Sequence, residues 1–166
     1  MRRSFLFFLL FILVGCGYKP VNKVTKSIFD EPVLVKVAID PEDPKVGEYL
    51  EDEITKMAIK RLNLKVTKDV DEAQNYILVN RYVVNTSPIN KDDEGNVIRY
   101  SVNAAVEFAI KDKKGFWSKN IVTNEYVPVK PKSQLNDEAK EKATKLAIKK
   151  ALDEFVLAVF KRGQDQ

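Results

Sequence analysis

Few residues in this chain are equipped for chemistry. It has one cysteine, Cys16, and no histidine. Without an imidazole there is no Ser-His-Asp or Cys-His relay and no histidine-based zinc site. An enzyme would have to work with carboxylates, lysine or tyrosine alone, so a non-catalytic role is expected. The acidic stretch Asn90, Asp92, Glu94, Gly95 has calcium-loop spacing. The position that needs a bidentate Glu is Ser101, however, and the flanks read as strands rather than helices, so no metal is expected. Two kinds of chemistry remain. One is the Cys16 thiol; the other is the point charge of lysines such as Lys91, Lys130 and Lys132, which suits phosphate groups.

The setting of Cys16 is specific. Arg2 and Arg3 precede an unbroken apolar run from Phe5 to Val14, and Gly15 leads to the cysteine. Charged start, apolar stretch and small residue at the cut are the parts of a secretory signal peptide. The run is ten residues, about 15 Å as a helix, half of a bilayer core. Leu13-Val14-Gly15-Cys16 resembles the bacterial lipoprotein lipobox, in which the thiol is acylated and the signal is removed just before it. The residue after it, Gly17, is not the Asp that marks inner-membrane retention in such proteins, so the resemblance implies an outer-membrane lipoprotein. Residues 1–15 are then the signal peptide, 16–32 a lipidated tether punctuated by Pro20 and Pro32, and 33–162 a single domain. With Arg2 and Arg3 set aside, 26 basic residues face 24 acidic ones. So even a balance does not suggest a general nucleic-acid binder. No second cysteine is present to form a disulfide, so the core must hold the fold unaided.

The elements that position these lysines follow from periodicity. Val33 to Ile39 alternates and is rich in β-branched residues, a first strand. Asp43 as N-cap and Pro44 in the first turn open a helix whose apolar face is Val46, Leu50, Ile54, Met57 and Ala58. A short extended piece at 64–66 precedes a polar turn at 69–74. Tyr76–Thr86 reads as the second strand, and a long hairpin loop spans 87–96. The third strand, Val97–Lys111, puts Ile98, Tyr100, Val102, Ala104, Val106, Phe108 and Ile110 on a buried face. Arg99, Ser101, Asn103, Glu107 and Lys111 fall on a polar one. After a tight turn at 112–115 comes a fourth strand, about 116–129, with Pro128 favouring an edge position. Asn136 caps a last helix whose buried stripe is Ala143, Leu146, Ala147, Ala151, Leu152, Phe155 and Val159.

The expected fold is α+β: a two-layer sandwich of order β-α-β-β-β-α, with a four-stranded mixed sheet and two helices on one face. Strand directions place the 87–96 loop and the 130–136 loop at one end of that sheet. Lys91, Lys130 and Lys132 therefore share an end, and Lys113 and Lys114 lie at the other.

Cys16-Gly17-Tyr18-Lys19-Pro20 resembles the mature start of LptE-type lipopolysaccharide-assembly lipoproteins. Ser87-Pro88-Ile89 and Asp93-Glu94-Gly95-Asn96-Val97-Ile98-Arg99-Tyr100 resemble the form found in Campylobacter-like bacteria. The resemblance implies a lipoprotein that plugs the LptD β-barrel and binds lipopolysaccharide, with Lys91 and either Lys130 or Lys132 at the positions of ligand-touching basic residues. It implies no cofactor. The competing expectation is another outer-membrane lipoprotein of similar build, such as a transporter auxiliary subunit or a secretin pilot.

Overall fold

The computed structural model describes residues 21–41 and 43–164. The order along the chain is α1 (Val21–Ile28), β1 (Val33–Val37), α2 (Pro44–Lys60), β2 (Val66–Thr67), β3 (Asn75–Lys91), β4 (Val97–Asp112), β5 (Gly115–Pro128) and α3 (Asp137–Gln164). The sheet has five strands in the order β2-β1-β3-β4-β5. Strands β2 and β3 run parallel to β1, and β4 and β5 follow as antiparallel hairpins. The α+β class stands. The expectation of four strands and two helices is corrected to five strands and three helices among the described residues. The extra strand is two residues long and the extra helix eight, both too short for a periodic signal.

Helix α1 falls inside the stretch expected to be tether. Val24, Ile28 and Phe29 are buried there, with Lys23 and Lys26 on the wet side. Eight residues do not hold a helix in water; docking does. The α1 side chains meet Gly163 near the end of α3, where an added Cβ would lie 2.6 Å from Val24 Cγ1 and 2.8 Å from Ile28 Cδ1. Gly163→Val should overpack this contact, cost about 1–3 kcal/mol, and speed exchange of the Phe29 amide that donates to the Thr25 carbonyl at 2.8 Å. Unchanged amide exchange would show that α1 is not seated there.

The core lies between the helices and one face of the sheet. Ile77 and Val79 of β3, Ala104, Val106, Phe108 and Ile110 of β4, and Ile121 of β5 meet Leu50, Ile54 and Met57 of α2 and Ala147, Ala151 and Phe155 of α3. Leu146 is a correction: it is 41% exposed, at the flank of an α3 stripe that Thr144, Ile148 and Val156 complete. In β3 the register shifts between Val79 and Arg81. Asn80 and Arg81 are both exposed and Tyr82 returns to the core, the effect of one extra residue in a period of two. The Tyr82 hydroxyl then accepts from the Asp40 amide at 3.0 Å and donates to the Asp43 carbonyl at 3.0 Å. Asp43 precedes α2 as expected, but its carboxylate makes no capping bond. Gly47 leaves room for the phenol, since a Cβ there would lie 2.7 Å from the Tyr82 oxygen. Asn136 does cap α3, accepting from the Ala139 amide at 2.7 Å.

Candidate functional site

The end of the sheet at the β3–β4 turn is built from two segments. Strand β3 continues through Pro88 to Lys91, so the expected loop 87–96 contracts to a turn at 92–96. Asp92 organises that turn. Its carboxylate accepts from the backbone amides of Glu94 (3.1 Å) and Asn96 (2.7 Å) and from the Asn96 side chain. Gly95 supplies a φ of +83°, which favours glycine. These bonds, led by the Asn96 side chain, hold the Asp92 carboxyl below its usual range. They also use up the carboxylate that a calcium reading would need as a ligand. Among the described residues no group of three His, Cys, Asp or Glu side chains could hold a metal ion.

The second segment, 129–136, is tied to the start of β4, just past that turn, by the Val129 amide, which donates to the Ile98 carbonyl at 3.0 Å. Lys132 adopts φ +65° and brings its Nζ to 3.7 Å from Glu94 Oε2. Both side chains are about three-quarters exposed, so the pair contributes little energy. Lys91, Lys130 and Lys132 thus occupy one end of the sheet and are all exposed. The nearby groove between the starts of α2 and α3, which sequence reading missed, carries Lys45, Lys140 and Lys145 against Asp43, Asp137 and Glu141. Its charges balance, and Lys145 is already engaged by Glu141 and by the Tyr49 ring, 5.5 Å from its centroid. Burial, then the Glu53 charge, pushes the Tyr49 hydroxyl above its usual pKa.

At the opposite end, Lys113 and Lys114 are not loose surface charges. Lys113 pairs with Asp30 at 2.9 Å and donates to the Lys26 carbonyl. Lys114 donates to the Arg162 carbonyl at 2.7 Å. Cys16 lies outside the described residues.

The sheet face turned away from the core has a distinct character. Register places Asn85, Asn103 and Asn124 in one row across β3, β4 and β5, with Val83, Ala105 and Val122 in the next. Along β5, Phe116, Val122 and Tyr126 are exposed on this face. These two rows of amides and small side chains are uncharged, a surface that can meet a partner without desolvating many ions. No described helix is long and apolar enough to cross a membrane.

The family model described as LptE, lipopolysaccharide-assembly, matches residues 34–159. The solution structure of a lipoprotein B from Nitrosomonas europaea is similar at 17% identity and a TM-score of 0.55, covering 84% of this chain and 88% of that one. A minor lipoprotein from Acinetobacter baumannii is similar at 11% identity and a TM-score of 0.51, covering 78% and 91%. At such identities the likeness is one of fold. No curated protein matches the sequence.

Proposed function

This chain belongs to the LptE lipopolysaccharide-assembly family, and from that premise we propose that it is an outer-membrane lipoprotein, acylated at Cys16. It plugs an LptD-type β-barrel and binds lipopolysaccharide without catalysing a reaction on it. The observation that best supports the ligand reading is the meeting of two lysine-bearing segments at one end of the sheet, joined by the Lys132–Glu94 pair. Lysines there can meet ligand phosphates as point charges. The amide-lined face supports contact with the polar interior of a barrel. Pull-down from outer membranes tests the partner: a large β-barrel should co-purify, whereas a secretin or transport complex would overturn the reading.

Lys91, Lys130 and Lys132 are the proposed phosphate contacts. Exposed lysines act weakly one at a time and are screened by salt. Single Lys→Ala changes should do little, while reversing all three to Glu should weaken lipopolysaccharide binding clearly, and most at low salt. Lys113 and Lys114 make a poor control because both hold structure; Lys119 and Lys149, exposed at other places, are better. Equal loss from Lys119→Glu with Lys149→Glu would reject the assignment.

Lipidation is checked by intact mass. The membrane-extracted protein should begin at Cys16 and carry added acyl mass. A chain beginning at Met1, or a free thiol at Cys16, would reject the anchor.

A further inference from the structure

We propose that the α1 end of the domain seats on a phospholipid bilayer, with Phe116 as the inserted side chain and lysines of that end at head-group level. The inference rests on the reading of Cys16 as the lipid anchor. Phe116 is 81% exposed, more than any other large hydrophobic among the described residues. Lone exposed apolar side chains are ordinary; the position of this one is not. It follows Gly115, whose φ of +110° closes the β4–β5 turn, so the ring stands at the tip of the hairpin. Its neighbour Trp117 turns to the other face, where the indole N–H donates to Asp112 at 2.9 Å.

The same turn receives the end of α1. The Lys113 amide donates to the Ile28 carbonyl at 2.8 Å, and its Nζ to the Lys26 carbonyl at 2.9 Å. From Cys16 to Val21 there are only five residue steps, at most about 18 Å of extended chain, and α1 itself adds about 12 Å. That reach keeps this end within about 30 Å of the membrane that an acylated Cys16 would occupy, so it is the end of the domain that can meet the head groups.

Charge selects which part. Beside Phe116 stands Lys111, and on the α1 side are Lys23, Lys26 and Lys161, against Asp30 and Glu31 at the α1–β1 turn; Lys113 and Lys114 are already tied to Asp30 and to backbone carbonyls. Lys111 stands 6.0 Å from the Phe116 ring centroid. The far corner of the same end, between β2 and β3, exposes Asp69, Asp71 and Glu72 against the single cation Lys68. An anionic surface attracts the first corner and repels the second. An aromatic tip with a lysine beside it, at a basic corner of the domain, is chemistry suited to the bilayer interface, where the ring meets the acyl boundary and the ammonium groups meet phosphate.

The test uses the full lipidated chain in vesicles of phosphatidylethanolamine and phosphatidylglycerol without lipopolysaccharide. Phe116→Cys is labelled with an environment-sensitive fluorophore, and Ile89→Cys, near the opposite end, serves as the control. The probe at 116 should shift to the blue and be quenched by nitroxide lipids, while the probe at 89 keeps its emission in water. Phosphatidylcholine in place of phosphatidylglycerol should lessen the quenching at 116; no change would overturn the role given to the lysines. Because Cys16 is the chain's only natural cysteine, an acylated protein takes one label. One label with a water-like probe at 116, or identical signals at 116 and 89, would overturn the seat alone. Two labels per chain would overturn the anchor reading, and the seat with it.

Discussion

Phe108→Ala should lower the unfolding free energy by about 3–5 kcal/mol. The side chain is fully buried at the middle of the sheet and stacks on Phe155 of α3, with ring centroids 4.2 Å apart and planes 19° from parallel. Truncation removes a stacked contact between the two layers, and such a pair is a poor site for collapse around a void. Glu107, the preceding residue, points out of the opposite face and is exposed. Glu107→Ala should stay within about 0.5 kcal/mol. Denaturant unfolding of both variants checks the facing of β4, and equal effects would reject it.

Arg162→Ala should cost about 3 kcal/mol, because it strands a buried carboxylate. The Asp112 side chain is 0% exposed and accepts from Arg162 Nε and Nη2, from the Trp117 indole N–H and from the Lys114 amide. The guanidinium also lies over the Trp117 ring, 5.1 Å from its centroid. Asp112 ends β4 and Arg162 lies near the end of α3, so the pair clamps helix to sheet beside α1. Adding Asp112→Asn to Arg162→Ala should recover part of the loss, since it removes the uncompensated charge. If Arg162→Ala costs no more than Lys161→Ala in thermal unfolding, the clamp is not a stability element.

The strands and long helices were legible because their burial repeats often enough to be read. Val102 to Ile110 alternates without a break, and the expected facing of β4 matches the structure there. Ser101, expected on the wet face, is buried, because neighbours rather than water cover that small side chain. Strand β2 has two residues and α1 eight; neither can display a period, and both exist through contacts distant in sequence. Pro88 made the end of β3 look like a loop. It is tolerated in the strand because β1 pairs with β3 only from Asn75 to Val79. Beyond that point β3 has an open side, where a missing N–H costs little. At the candidate site, the meeting of the two loop segments followed from strand directions alone. The Lys132–Glu94 contact did not, since it depends on a left-handed backbone at Lys132 that no residue type announces. The structural duties of Lys113 and Lys114 were likewise hidden, because their partners in α1 and α3 are far away in the chain.

Strand β4 runs unbroken for 16 residues between the two ends of the sheet. At about 3.3 Å per residue it is a rod of about 50 Å, comparable with the roughly 40–45 Å of a bilayer including its head groups. The fold is therefore a spacer bar. An attachment at Phe116 and a ligand at Lys91 are too far apart to share side chains, water or screening cloud, since the Debye length is only about 8 Å at physiological salt. Their free energies should add independently, as they do for sites more than about 7–10 Å apart with no shared partners. Shortening β3, β4 and β5 together by two residues each would preserve every facing in the sheet while drawing the ligand end about 7 Å closer to the anchor.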